Sequence, residues 1–309
     1  MVAMAGDLNI RMIAVESPGD FRVDVNVYLI GRRDWILVDS AYGLNQSISK
    51  ILGEINRYAG GVRNLKLVLN THAHPDHFPG STVLKEKYGV PIAIHEYAAP
   101  LLGDFKKYVE KYTILRGKDA DIFVKEYLTG MCGARETNID VPVKDGDVIE
   151  VSGYEFRVIH TPGHSPCHVC LYQPDEGILF SGDTVLKGMS TWIGVPDGDV
   201  LLYLDSLERL KKLDISVIYP AHGPIIMEPK EIIEENRQKK LSRMKDILEH
   251  LKEGPKTVKQ LVNELYKSKI WRQKIWMGSV VKAYLIALEK LGRVRRIPRE
   301  NLPSLYELI

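Results

Sequence analysis

Seven side chains that can bind divalent metals stand in short segments, each at the junction of a strand-like stretch and a loop. Four of them lie in THAHPDH, directly after the apolar run LKLVL at residues 65–69. The others follow in TPGHSPCH, FSGDT and YPAHGP. In chain order the seven are His72, His74, Asp76, His77, His164, Asp183 and His222. A fold that collects them must bring several strand ends to one edge, which favours layered sheets and helices with a site on loops.

These residue types suit a centre with two metal ions. Neutral imidazole and carboxylate are ligands that zinc and other divalent transition metals prefer. His72 and His74 are two residues apart, so on an extended stretch they point the same way and can bind one ion together. Pro75 turns the chain, so Asp76 and His77 can face a second ion about 3.5–4 Å away, as in two-metal hydrolases. The sequence therefore predicts two divalent cations, Zn²⁺ first, with Mn²⁺ or Fe²⁺ also compatible.

The motif THAHPDH resembles the HxHxDH signature of the metallo-β-lactamase superfamily. Asp39 in ILVDS and the motifs TPGH, SGDT and PAHG match that superfamily's other motifs in order, across residues 10–227. The resemblance implies an αβ/βα sandwich, in which two mixed β-sheets lie face to face, helices lie outside and the metals lie at one edge. It implies one ion held by His72, His74 and His164, a second held by Asp76, His77 and His222, Asp183 as the bridge, and Asp39 as a supporting residue behind the ligands.

The implied chemistry is hydrolysis by a metal-bound hydroxide, because two cations lower the pKa of a bound water to near 7. Asp76 can orient or deprotonate this nucleophile, so it is the candidate catalytic residue. Redox relatives, the flavodiiron proteins, carry glutamate where this chain has His74, which favours hydrolysis over electron transfer. His168 is a candidate for protonating the leaving group, and an ordinary strand residue is the alternative.

Periodicity predicts strands and helices that alternate through the first part of the chain, with a charged, tyrosine-rich helical insertion at 101–140. There, Tyr108, Tyr112 and Tyr127 either line a substrate pocket or pack between helices. The predicted strands are 22–30, 34–38, 65–69, 91–95, 141–143, 148–151, 154–160, 168–172, 178–181 and 215–219, and the predicted helices are 44–58, 81–88 and 202–213.

Charge and pattern change near residue 228, which predicts a catalytic domain over 1–227 and a smaller basic domain over 228–309. The second part holds 19 Lys or Arg against 11 Asp or Glu, whereas the first holds 23 against 29. Helices at 231–251, 257–266 and 277–291, followed by a hairpin at 294–297 and 305–309, predict a winged-helix-like module. Thr257 is placed to cap the middle helix.

The three cysteines, Cys132, Cys167 and Cys170, argue against a disulfide framework and fit a reducing cytosol. A redox or metal role for the CxxC of Cys167 and Cys170 is disfavoured, because positions three apart on a strand face opposite sides. The chain begins without a signal-peptide pattern and has no apolar run of membrane-spanning length. We therefore expect a cytoplasmic protein with no membrane partner.

The substrate is not decided by the fold. A metallo-β-lactamase domain followed by a winged helix resembles a branch that includes a single-strand-specific endoribonuclease, which makes single-stranded RNA the first expectation. Arg293, Arg295 and Arg296 would then meet phosphates, unless they form only a solvated charged edge. The alternative is a glyoxalase-II-like thioesterase or another small ester or lactone hydrolase, whose C-terminal module packs over the site or mediates a homodimer. A nucleic-acid-binding regulator that senses a small molecule is the third hypothesis.

Overall fold

The structure is a computed structural model that describes residues 2–5, 8–18, 24–99, 102–113, 115–266 and 271–309. Its side chains are described in the same ranges, apart from those of residues 2–5, 112 and 271–275. Among the described residues, no helix is both long enough and apolar enough to cross a bilayer.

The first sheet has seven strands that lie side by side in chain order. They are β1 (Val2–Ala5), β2 (Leu8–Val15), β3 (Val25–Gly31), β4 (Trp35–Val38), β5 (Leu65–Leu69), β6 (Ile92–His95) and β7 (Val141–Val143). The first four strands pair antiparallel, and β4 to β7 pair parallel. Strand β3 is buried at every position, as a strand covered on both faces requires.

The second sheet has five strands. They are β8 (Val148–Val151), β9 (Tyr154–His160), β10 (Val169–Gln173), β11 (Ile178–Gly182) and β12 (Val217–Pro220). Their order across the sheet is β12-β11-β10-β9-β8. The β11–β12 pair is parallel, and the other pairs are antiparallel.

Helices lie between and after the strands. They are α1 (Asn45–Glu54), α2 (Pro79–Tyr88), α3 (Phe105–Tyr112), α4 (Gly117–Ile122), α5 (Val200–Leu210), α6 (Pro229–Leu251), α7 (Val258–Leu265) and α8 (Trp271–Lys290). Two of them, α1 and α4, continue as π-helical segments at Ile55–Ala59 and Phe123–Met131, and a 3₁₀ turn occupies Val62–Asn64.

The two sheets face each other across an apolar layer. Tyr28 and Leu69 from the first sheet meet Phe156 and Phe180 from the second, and the rings of Tyr28 and Phe180 are 5.2 Å apart. Helix α1 packs on the outer face of the first sheet, and α5 and α6 pack on the outer face of the second. This arrangement confirms the predicted αβ/βα sandwich, with strand ends and their loops along one edge.

The C-terminal segment contains α6 to α8 and a small three-stranded sheet. Its strands are β13 (Lys256–Thr257), β14 (Val294–Arg299) and β15 (Leu302–Leu308), in the order β13-β15-β14. Thr257 caps α7, and its hydroxyl accepts a hydrogen bond from the backbone N–H of Gln260 in a complete capping box. The predicted helices and hairpin are present, and the winged-helix identification stays a prediction.

Packing continues across residue 228. Helices α6 and α8 share one apolar cluster with α5 and the second sheet, in which Ile247 and Leu285 contact the same core as Ile218 and Leu207. The domain boundary at this position stays a prediction, since no gap in the core marks it among the residues that the structure describes.

Some elements differ from the sequence prediction. The strand predicted over 22–30 is observed as β3, which begins at Val25, and residues 22 and 23 lie outside the described part. Strands β1, β2 and β13 were not predicted. Strand β2 buries residues on both faces without strict alternation, and β13 has only two residues, so neither produces a clear period-two pattern.

Candidate metal centre

The seven predicted ligands lie on loops at one edge of the sandwich. Because β5 and the β11–β12 pair end at this edge, segments distant in sequence meet there. The segment 72–77 follows β5, His164 follows β9, Asp183 follows β11 and His222 follows β12.

The side chains form two groups around one shared carboxylate. Potential ligand atoms of His72, His74 and His164 lie within 4.8 Å of one another. Potential ligand atoms of Asp76, His77 and His222 form a second group within the same distance of one another. The two groups together contain six of the seven predicted ligands.

Asp183 lies between the two groups. Its Oδ2 is 3.5 Å from Nε2 of His164 in the first group. Its Oδ1 is 3.7 Å from Nε2 of His77 and 3.4 Å from Nε2 of His222 in the second. One carboxylate oxygen thus faces each group, which is the placement that a bridging ligand needs, and the metal-binding roles themselves remain a proposal.

Asp39 lies behind the second group, where the resemblance predicts a supporting residue. One of its oxygens is 3.0 Å from Nδ1 of His77, which leaves Nε2 of that ring directed at the centre. The carboxylate also accepts hydrogen bonds from the backbone N–H and the hydroxyl of Thr71, at 2.7 and 3.0 Å. Asp39 has a φ of 60°, a left-handed conformation that is uncommon outside glycine and is often found at functional sites.

Backbone carbonyls orient two further imidazoles. Nδ1 of His164 donates to the carbonyl of Trp192 at 2.6 Å, and Nδ1 of His222 donates to the carbonyl of Asp24 at 2.8 Å. In its neutral form each ring therefore carries its proton on Nδ1 and turns Nε2 toward the centre. Such outer partners fix the tautomer and the orientation of histidines that bind metals.

The sequence prediction missed Asp197, which orients His74. Its Oδ2 is 2.5 Å from Nε2 of His74, so Nδ1 of that ring is the nitrogen available to a metal. Asp197 stands in GVPDGDV, a turn-like segment that carries no signal of this contact. Residues 190–199, which we call the bridging loop, supply both this carboxylate and the Trp192 carbonyl.

Two buried polar atoms test whether metal ions fit this site. Nε2 of His77 and Oδ1 of Asp183 are buried and have no hydrogen-bond partner within the described ranges. Buried polar atoms are almost always satisfied in native proteins, so orphaned ones indicate an additional ligand. A set of imidazole nitrogens and carboxylate oxygens matches what Zn²⁺, Mn²⁺ and Fe²⁺ bind. The residues thus fit two divalent cations.

In the second group, imidazole rings that can carry positive charge lie close to negatively charged carboxylates. Burial opposes protonation of His77, but Asp76 and Asp39 outweigh it and raise the pKa of His77 to about 9. Burial likewise opposes protonation of His222, but Asp183 and Asp76 raise its pKa to about 10. For Asp76, burial favours the neutral acid, but His77 and His222 hold its pKa well below the usual range. Asp76 is therefore a carboxylate at neutral pH.

His168 does not face the centre as a proton donor. Its Nδ1 is 2.9 Å from the hydroxyl of Thr161 and 3.1 Å from that of Thr184. Its Nε2 accepts a hydrogen bond from the backbone N–H of Asp183 at 3.0 Å. Gly182 permits this contact, because a Cβ there would lie 2.5 Å from Nε2 of His168. His168 lies directly before β10 and holds the backbone of Asp183 in place, which favours the alternative interpretation of an ordinary structural residue.

The tyrosines of the insertion have separate roles. Tyr108 is buried and its hydroxyl donates to the carbonyl of Ala73 at 2.7 Å, so it braces the segment 72–77. Tyr127 lines a cavity beside the bridging loop. The side chain of Tyr112 lies outside the described part of the chain.

The two cysteines of the CxxC are buried in different apolar clusters. Cys167 packs with the insertion, whereas Cys170 packs with the outer face of the second sheet. Burial raises the pKa of both thiols to about 12. Their separation supports the expectation that they form neither a redox pair nor a metal site.

A family model described as the metallo-beta-lactamase superfamily matches residues 20–222. The chain is 27% identical over 290 residues to the beta-lactamase-like protein 2 homolog of Caenorhabditis elegans, a match that covers 92% of this chain and 85% of that protein. It is 27% identical over 266 residues to the atrochrysone carboxyl ACP thioesterase of Aspergillus fumigatus, covering 82% of this chain and 53% of that relative.

A solved structure extends the likeness to nearly the whole chain. The metallo-beta-lactamase family protein from Thermus thermophilus is 25% identical and superposes with a TM-score of 0.79. The match covers 97% of this chain and 98% of that one. The likeness therefore includes the C-terminal helices as well as the sandwich.

Replacing Asp197 with asparagine should weaken metal binding at the His72, His74 and His164 group. The variant keeps the size of the side chain but loses the charge that holds His74, and loss of such a partner typically costs about 10–100-fold in affinity. Competition with a chromogenic chelator measures the change. Asp205→Asn, at an exposed position on α5, is the matched control. An unchanged affinity in Asp197→Asn would contradict the orienting role.

Metal binding should release protons near neutral pH. With pKa values of about 9 and 10, His77 and His222 carry protons at pH 7.5 in the metal-free protein. Both must lose them to become ligands, so these two histidines contribute about two of the released protons and metal affinity rises with pH. Zinc titration calorimetry in buffers of different ionisation enthalpy counts these protons. A heat that is independent of the buffer would show that these two histidines do not bind the ions.

Proposed function

The chain belongs to the metallo-β-lactamase superfamily and is a hydrolase, and we propose that its substrate is a thioester. The observation that carries this proposal is a cavity of about 860 Å³ beside the candidate metal centre. Trp192 belongs to both sites, because its side chain lines the cavity while its carbonyl holds His164. A volume of this size suits a small organic group.

The lining of the cavity supports an acyl group as its occupant. Most of the exposed surface inside it is apolar, and aromatic rings from four segments contribute to it. The aromatic lining residues are Tyr127, Trp192, Tyr266, Trp276 and Tyr284. Flat apolar walls with a few polar groups are typical of pockets that bind small organic substrates.

The relatives support the same class of substrate. The similarity to the Aspergillus fumigatus protein named a thioesterase extends over 82% of this chain. Since this chain spans only 53% of that relative's length, the transfer of thioester hydrolysis to this chain rests on the shared fold and on the cavity rather than on the name alone.

The position of His168 also favours a thioester. Both of its nitrogens are engaged with Thr161, Thr184 and the backbone of Asp183, so it is not available to protonate a leaving group. A thiol has a pKa near 8.5, so a thiolate departs at neutral pH without a proton donor. An alkoxide leaving group, as in RNA cleavage, needs one.

We assign to Asp76 the role of orienting or deprotonating the water that acts as the nucleophile. When bound, two divalent cations lower the pKa of a water molecule and neutralise negative charge that develops on the substrate oxygen. Asp76 lies 3.6 Å from Nε2 of His77 and 3.4 Å from Nε2 of His222, and 30% of its side chain is exposed. It is therefore ionised, held in place and accessible, so it can orient a water or accept its proton.

Single-stranded RNA remains the second candidate, favoured by the basic surplus of residues 228–309. Several of these cations are already engaged by carboxylates of the chain itself, which reduces the charge left for phosphates. Examples are Lys256 with Glu253 and Glu264, Arg237 with Glu208, Lys290 with Asp199, and Arg295 with Glu307.

Hydrolysis of an N-acetylcysteamine thioester by the zinc- or manganese-loaded protein tests this function. We expect turnover with the thioester, and Asp76→Asn should lower kcat by at least about 100-fold, as loss of a general base does. The exposed Asp205→Asn variant should keep wild-type activity, and metal analysis of all three proteins separates lost chemistry from lost metal. End-labelled single-stranded RNA is assayed in parallel. Cleavage of the RNA with no thioester turnover would overturn the proposal in favour of the second candidate.

A further inference from the structure

The cavity beside the bridging loop contains a buried amino group that has no carboxylate partner among the described residues. Lys240 on α6 is 3% exposed. Its Nζ donates to the hydroxyl of Ser190 at 2.9 Å and to the carbonyl of Thr191 at 2.5 Å. These bonds use two of its three donors. Burial, together with Lys239 and Arg243, lowers the pKa of Lys240 to about 7, as expected for an ammonium with no neutralising partner.

A second cation lies on the same wall. Arg243 is one helical turn after Lys240, and its guanidinium lies over the ring of Tyr266, 4.6 Å from the centroid. Neither Lys240 nor Arg243 forms an ion pair with any carboxylate of the described ranges. Lys239, in contrast, pairs with Glu235 at 2.6 Å.

The carboxylates near the cavity do not neutralise this wall. Glu235 and Asp246 both line the cavity but are exposed, and Glu235 is engaged by Lys239. Arg243 therefore keeps a positive charge that no carboxylate of the described ranges neutralises, and an anion bound beside it would also favour the charged form of Lys240. An anionic group from a ligand would supply the missing partner.

An unsatisfied donor lies on the side of the cavity nearest the metal centre. The indole Nε1 of Trp192 is buried and has no acceptor among the residues that the structure describes. The ring is seated against Gly194, where a Cβ would lie 2.3 Å from an indole carbon. On its other side, the ring centroid is 6.1 Å from that of His74. The cavity thus adjoins the ligands of the first group.

We propose that this cavity binds the acyl part of the substrate, and that this part is a flat apolar group carrying an anionic substituent recognised by Lys240 and Arg243. The aromatic walls contact the flat body, the two cations bind the anion, and the acyl carbonyl lies toward the metal centre. The identity of this group as an acyl group rests on the proposed thioester hydrolysis. Recognition of an apolar anion by the cavity does not depend on thioester hydrolysis, and it can be tested separately.

Binding of a matched pair of probes tests the anion site directly. Naphthalene-2-sulfonate is a flat apolar anion and a poor metal ligand, and methyl 2-naphthyl sulfone is its neutral counterpart. Calorimetry with the metal-loaded protein should show that the sulfonate binds at least about ten-fold more tightly, as expected for charge-assisted hydrogen bonds. Equal affinity for the two probes would overturn the proposal.

Substitutions in α6 test whether Lys240 and Arg243 form the anion site. Lys240→Met and Arg243→Gln should each remove most of the preference for the sulfonate. Lys245→Met, at an exposed position of the same helix outside the lining, should keep it. Circular dichroism confirms that each variant is folded, and Arg243→Gln keeps the test decisive if Lys240→Met does not fold. A preference that survives in Arg243→Gln and in folded Lys240→Met would place the anion elsewhere and overturn the proposal.

Kinetics with two thioesters separate this proposal from the proposed function. The N-acetylcysteamine monothioester of terephthalic acid carries a distal carboxylate, and the thioester of 4-methylbenzoic acid does not. Wild type should favour the acidic substrate in kcat/KM by at least about ten-fold, and Lys240→Met should abolish the difference. Turnover of both without a charge preference contradicts the anion site alone. If neither thioester is hydrolysed but the protein still binds the sulfonate more tightly than the sulfone, the thioesterase function alone is contradicted.

Discussion

The fold holds five imidazole rings and two carboxylates close together and mostly away from water. When such groups lie close together, like charges repel one another and protons redistribute between the imidazoles and the carboxylates. Burial of their charges is also costly in free energy. Strand ends bring them to one edge, and outer partners such as Asp39, Asp197 and the Trp192 carbonyl fix how the rings point. Buried atoms of His77 and Asp183 have no hydrogen-bond partner among the described residues, which supports our proposal that cations bind here. If cations bind as we propose, metal binding and local order at this edge are coupled.

The bridging loop connects this centre to the C-terminal helices. On one side, the Thr191 hydroxyl donates to the carbonyl of Asp183 at 2.8 Å, and Asp197 holds His74. On the other, Lys240 donates to the carbonyl of Thr191. The backbone N–H of Val195 also donates to the carbonyl of a residue in α8 at 3.2 Å. The C-terminal segment therefore forms a wall of the cavity beside the centre and contacts the loop that orients His74 and His164, whatever its relation to winged-helix modules.

The sequence predicted what depends on local chemistry and missed what depends on distant contacts. All seven candidate ligands were identifiable, because imidazoles and carboxylates follow strand-like runs in short motifs. Asp197 was missed because its partner His74 is 123 positions away in sequence and its own segment looks like an ordinary turn. Lys240 was missed because it lies in a highly charged helix, where nothing local marks one lysine as buried. The surplus of basic residues over 228–309 is visible in the sequence, but the ion pairs that neutralise part of it appear only in the three-dimensional structure.

We propose that this edge binds two divalent cations in two groups joined by Asp183. Anomalous diffraction from crystals of the zinc-loaded protein, recorded on both sides of the zinc absorption edge, tests it most directly. We predict two zinc peaks, one among His72, His74 and His164 and the other among Asp76, His77 and His222, with Asp183 contacting both. A single peak, or peaks that lie away from these residues, would contradict it.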